Sequence, residues 1–79
     1  MNNLKTVFDS IVGFNGSAST EGWRDMTYSD LKEAIVGQAD SYNYSLSGAE
    51  EDIIASAVIA YRECDNSSDA WHVRKDLEN

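Results

Sequence analysis

From Ser47 to Cys64 the chain reads SGAEEDIIASAVIAYREC, its longest stretch with apolar residues at the three- and four-residue steps of an α-helix. Ile53, Ile54, Ala57, Val58, Ala60, Tyr61 and Cys64 fall on one side of the helical wheel. They cover an arc of roughly 160°, wider than the stripe of an ordinary surface helix, so this helix is expected to have neighbours on two sides. Ser47 and Glu50 have the spacing of a capping box, in which each side chain accepts from the other residue's backbone N–H.

The same periodicity marks other segments. Leu4, Val7, Phe8, Ile11 and Val12 recur at helical steps and Gly13 stands where a C-terminal glycine belongs, which predicts a first helix over about Asn3 to Val12. FNGSASTEG, rich in turn-forming residues, reads as a loop, with Trp23 and Met26 as apolar anchors at its end. Thr27 followed by Asp30 predicts the cap of a second helix running from about Tyr28 to Ser41. Leu31, Ala34, Ile35, Gln38 and Tyr42 are placed on its inner side, and Asp30, Glu33, Gly37 and Asp40 on its outer side. An interior Gly37 costs about 1 kcal/mol relative to Ala, which leaves room for a bend or an early end.

SYNYSL then links to the long helix, and DNSSD breaks the pattern after Cys64. Ser67 or Ser68 is expected to cap a short fourth helix in which Ala70, Val73 and Leu77 share a side with Trp71 near them. Only NYSLS alternates as a strand would, over too few residues to compete. The expected fold is all-α: one domain over residues 1–79, a compact three- to four-helix bundle with a central helix at about residues 48–64.

Composition narrows the function. Seventy-nine residues are close to the lower size for a core without disulfides or metals, and a single cysteine forms no internal disulfide. A net charge of −8 repels nucleic acid and anionic membrane, so direct binding to either is not expected. The excess is confined to the stretch from Glu21 to Asp69, which holds eleven acids and three bases. Lacking a long apolar run or a leader-like start, the chain is expected to be cytoplasmic.

Catalysis and cofactors find little support. The one conceivable nucleophile and base pair is Cys64 with His72, and Cys64 lies on the apolar side of its helix, where a cysteine is usually a small hydrophobe. Asp65, Ser67, Asp69 and Asp76 imitate positions of a calcium loop, but Ala70 stands where the sharp turn needs glycine. One His and one Cys are too few for a zinc site. GFNG between Gly13 and Gly16 follows a helix and lacks the lysine of a phosphate loop. No enzyme, metal or cofactor is expected.

The surface is more informative. Asp30, Glu33 and Asp40 form an acidic ridge on the second helix, and Glu51, Asp52 and Glu63 a second acidic set on the long one. Tyr42 and Tyr44, of the type enriched at binding hot spots, stand beside the ridge. Ile59 sits opposite the apolar arc among Asp52, Ser56, Arg62 and Glu63, where it is expected to anchor a partner or a homodimer. Carboxylates spaced like backbone phosphates can occupy a basic groove meant for nucleic acid. The expected function is therefore that of a small acidic inhibitor, a nucleic-acid mimic that covers a basic, nucleic-acid-handling surface of another protein. Its composition has the character of the anti-restriction and anti-CRISPR proteins of phages and mobile elements, an analogy of composition alone. An adaptor or regulatory subunit docking through an apolar helix face is the alternative, and a small enzyme ranks third.

Overall fold

A computed structural model describes residues 3–14, 16 and 18–78. Asn15 and Ser17 of the expected FNGSASTEG loop lie outside the described residues. Four α-helices follow one another: α1 (Asn3–Val12), α2 (Tyr28–Ser41), α3 (Gly48–Arg62) and α4 (Ser67–Asp76), with a 3₁₀ turn at Trp23–Asp25 before α2. No strand occurs among the described residues, and none of their helices is long and apolar enough to cross a membrane. The all-α bundle expected from periodicity is the fold of the chain.

The helix starts are set by local chemistry. Thr27 Oγ1 accepts from the Asp30 N–H at 3.2 Å. Ser47 and Glu50 complete a reciprocal capping box at 3.2 and 2.9 Å. At α4 the cap is Asn66, one residue before the expected Ser67 or Ser68: its Oδ1 accepts from the Asp69 N–H at 2.8 Å. Three adjacent candidates satisfy the capping preference there, and the extended backbone of Asn66 decides among them. Gly37 faces solvent and α2 continues past it to Ser41.

α3 packs on each of the other three helices. Its buried arc is nevertheless rotated from the expected one. Ile54, Ala55 and Val58 are fully buried, Ala60 is exposed and Ile53 is 49% exposed. Ile59, expected as an exposed anchor opposite the core, is half-buried and packs against it. The reason is the position of α2, tied to the same side of α3 through Asp52, one heptad before Ile59. Arg62 also turns inward, its guanidinium donating to the Met26 carbonyl at 2.8 Å and, more weakly, to that of Trp23 at 3.4 Å. A cation that completes the loop's backbone hydrogen bonds thus occupies an inner position that a hydrophobicity count assigns to the surface.

α1 is the helix enclosed from all sides: Val7 to Val12 are buried in succession, Asp9 and Ser10 among them. The buried Ser10 hydroxyl donates to the Val7 carbonyl at 2.8 Å. Asp9 is met by Arg74 of α4, whose Nε and second guanidinium nitrogen lie 2.7 and 2.8 Å from its two carboxylate oxygens. After α1, Gly13 adopts φ +74°, and a Cβ there would lie 2.8 Å from the Ala18 backbone nitrogen. Glycine is required twice over, by conformation and by space. The loop then returns across the end of α1 through Ser19 N–H to Ser10 C=O at 2.7 Å. Trp23 and Met26 fasten its far end, Trp23 buried and Met26 packed against the core. Tyr61 gathers the aromatic side chains here, with Phe8 edge-on at 5.3 Å and Trp23 at 5.9 Å.

Candidate functional site

α2 carries the acidic ridge because its inner row is set four residues apart: Leu31, Ile35 and Ala39 are buried, which turns Asp30, Glu33 and Asp40 outward. All three carboxylates are exposed. The helical rise separates Glu33 from Asp40 by about 10 Å along the axis. Val36, at 41% exposure, stands between them on the same outward side. With Ser29, Lys32 and Glu33 it lines a shallow hollow of about 450 Å³. Val36 is not among the residues expected at the ridge from sequence; its position three residues after Glu33 and four before Asp40 is the signal that marks it.

The ridge continues into the two tyrosines. Tyr42, expected on the inner side of α2, is instead 44% exposed. It lies beyond the last buried turn, where Ala39 fills the inner position. Asn43 then takes φ 61°, a left-handed conformation that asparagine tolerates, and redirects the chain so that Tyr44 packs against the core. The two rings stack at 5.4 Å and 17°. The Asn43 N–H donates to the Asp40 carbonyl at 3.0 Å, holding the aromatic pair against the acidic end of the ridge.

The second acidic set does not assemble as one patch. Asp52 is a strut between helices: its Oδ1 accepts from the Tyr28 hydroxyl at 2.7 Å and meets Lys32 Nζ at 2.8 Å. Hydrogen bonding from Lys32, then from Tyr28, holds the Asp52 carboxyl below the usual aspartate range. The same carboxylate raises the Tyr28 hydroxyl and the Lys32 ammonium above their ordinary values. Glu51 is half-buried near Lys32, whereas Glu63 is exposed at the C-cap of α3, about 16 Å along the axis from Asp52. Ile59 belongs to the core side and joins neither set.

The cations are distributed differently from the acids. Lys5 pairs with Glu78, Lys32 with Asp52 and Arg74 with Asp9. Arg62 holds two loop carbonyls, while Arg24 and Lys75 lie over the Trp23 and Trp71 rings at 4.5 and 4.7 Å. All six basic side chains of the sequence thus have a partner in their own chain, and the outward face of α2 displays carboxylates beside Val36, with Lys32 at its edge paired to Asp52.

No three described His, Cys, Asp or Glu residues are grouped to hold a metal ion. The Cys64 thiol donates to the Ala60 carbonyl at 3.2 Å, and the His72 ring stands edge-on to Trp71. The residues that imitate a calcium loop start a helix, with Asn66 Nδ2 donating to Asp69 Oδ2 at 3.1 Å. The face thus combines an anionic row, one apolar side chain within it, and a stacked aromatic pair at its end. No protein family, curated protein or solved structure matches the chain.

Proposed function

We propose that this protein is a small cytoplasmic inhibitor that binds the basic, nucleic-acid-handling surface of another protein through the outward face of α2, as anti-restriction and anti-CRISPR inhibitors of phages do. It acts by occupancy and not as an enzyme. The observation that carries the reading is the asymmetry of charge. Lys5, Lys32 and Arg74 are paired with carboxylates and Arg62 with loop carbonyls, while Asp30, Glu33 and Asp40 stand exposed in one row. Such a row attracts a basic groove over a distance and releases the counterions held there. Val36, Tyr42 and Tyr44 supply the contact area that charge alone lacks.

The test is affinity capture from a host lysate with the parent chain and with Asp30, Glu33 and Asp40 replaced by Lys. The parent should retain nucleic-acid-binding proteins at low salt and release them on addition of duplex DNA or RNA. An identical set of captured proteins on the charge-reversed chain would sink the reading. An adaptor docking through an apolar helix face is the second reading. It draws on Ile53, which stands half-exposed beside Val73 and Leu77 of α4.

A further inference from the structure

The structure has an apolar trough that the ridge does not involve. It runs between α3 and α4, has a volume of about 260 Å³ and is open along one side. Ile53, Ala57 and Ala60 line it from α3, and Val73 and Leu77 from α4. Its existence follows from side-chain size: with Ser56, Ala57 and Ala60 on the α3 side, the two helices meet through Val73 and Leu77 and leave the space above unfilled. Ile53, 49% exposed, forms one wall of it.

The rim is anionic. Asp76 lines the trough directly. Asp69 lies one heptad before Asp76, on the same side of α4, and Glu63 lies one heptad after Ser56, on the same side of α3. All three are exposed, and no cation is among the lining residues. The nearby basic residues of α4 are held elsewhere, Arg74 by Asp9 and Lys75 over Trp71.

The geometry points to this trough as the docking site of a cationic amphipathic helix from a partner protein. The partner's apolar side chains seat over Ala57 and Ala60 beside Ile53, and its lysines or arginines face Glu63, Asp69 and Asp76. Helix-in-groove recognition uses this combination of apolar anchors at helical spacing and charged flanks. A second copy of this chain is the wrong occupant, because it carries a net charge of −8 and would bring the same acids to the same rim. The inference stands apart from the role proposed for α2.

A fluorescein-labelled peptide of about fifteen residues, long enough for helix formation on docking, tests it, with leucines at i, i+3, i+4 and i+7 and lysines elsewhere. Anisotropy and amide chemical shifts of the full chain are read against a scrambled peptide of the same composition. The patterned peptide should shift the amides of Ile53, Ser56, Ala60, Val73 and Asp76 and bind at least about tenfold more tightly than the scrambled one. Ala60→Gln, which fills the trough from an exposed position without changing charge, should weaken it by at least about tenfold. Ser45→Gln, an uncharged change at an exposed position outside the trough and the acidic row, should leave the affinity unchanged. Equal binding of the two peptides, or shifts centred on Asp30, Glu33 and Asp40, would show mere attraction between opposite charges and overturn the assignment. Trough amides that shift with protein concentration in the absence of peptide would also overturn it, by giving the site to a second copy.

Discussion

Asp9 and Arg74 lie 65 residues apart in sequence and meet as a two-pronged ion pair, both carboxylate oxygens within 2.8 Å of guanidinium nitrogens. Asp9 is only 7% exposed, and Arg74 also lies over the Phe14 ring at 4.1 Å. The carboxylate holds the guanidinium above its ordinary value, so Arg74 stays charged across the physiological range. Removing one partner leaves the other charge buried. Asp9→Asn or Arg74→Met alone should therefore cost about 3–5 kcal/mol, whereas Asp9→Leu with Arg74→Met should recover most of that loss. Urea midpoints check this, and a single variant as stable as the parent would show that the pair contributes nothing.

Two adjacent isoleucines should behave oppositely. Ile54 is fully buried, and Ile54→Ala should cost about 2–5 kcal/mol. Ile53 is half-exposed at the wall of the trough, and Ile53→Ala should stay within about 0.5 kcal/mol of the parent. Ile59→Asp places a charge against the core and should lower stability by about 1–3 kcal/mol, where an exposed anchor would have been silent. Thermal melts of the three variants separate the observed orientation of α3 from the one expected on apolar count.

Acid should loosen the strut between α2 and α3. The folded Asp52 carboxyl titrates below its unfolded value of about 3.9. Its contribution is therefore present above that value and is lost as pH falls through the lower, folded one. Lys32 and Tyr28 are raised, so their share is present below their ordinary values and is lost as pH rises past the folded ones. Carboxyl shifts followed by NMR should place Asp52 below the ordinary aspartate range. Lys32→Met should move it upward, and an Asp52 that titrates normally in the parent would remove the strut from the account.

Charge reversal along the ridge should spare the fold. Glu33 and Asp40 are exposed and can be replaced by Lys at little cost. Asp30 lies in the first turn of α2, where a carboxylate suits the helix dipole, so Asp30→Lys should cost about 0.3–1 kcal/mol. Circular dichroism of the triple variant should remain that of the parent. A collapse of the helical signal would mean that the ridge has a structural duty and that lost binding says nothing about recognition.

The parts of this fold legible in the sequence are those set by neighbours along the chain. Thr27, Ser47 and Glu50 cap where they were expected to, and Gly13 closes α1, because capping is decided within four residues. The outward ridge of Asp30, Glu33 and Asp40 was equally visible, since one helix's period places it. Asp9 with Arg74, and Arg62 with the carbonyls of Trp23 and Met26, were not visible: each depends on a partner delivered by another segment. Nor was the side of α3 that faces inward. Its wheel offers Ile53 and Ile59 on different flanks, and only the positions of α2 and α4 decide which flank is covered.

α1, with six consecutive buried residues, precedes α4 by more than fifty residues in the chain, yet its buried carboxylate is matched by a guanidinium from α4. Until α4 has emerged from the ribosome, Asp9 has no cation opposite it and cannot be withdrawn from water without a large penalty. Closure of α1 into the core therefore depends on α4, through the placement of one acid. Stalled nascent chains should report it: α1 should remain open to protease while Ser67 to Asp76 are still in the exit tunnel and become protected once they are free.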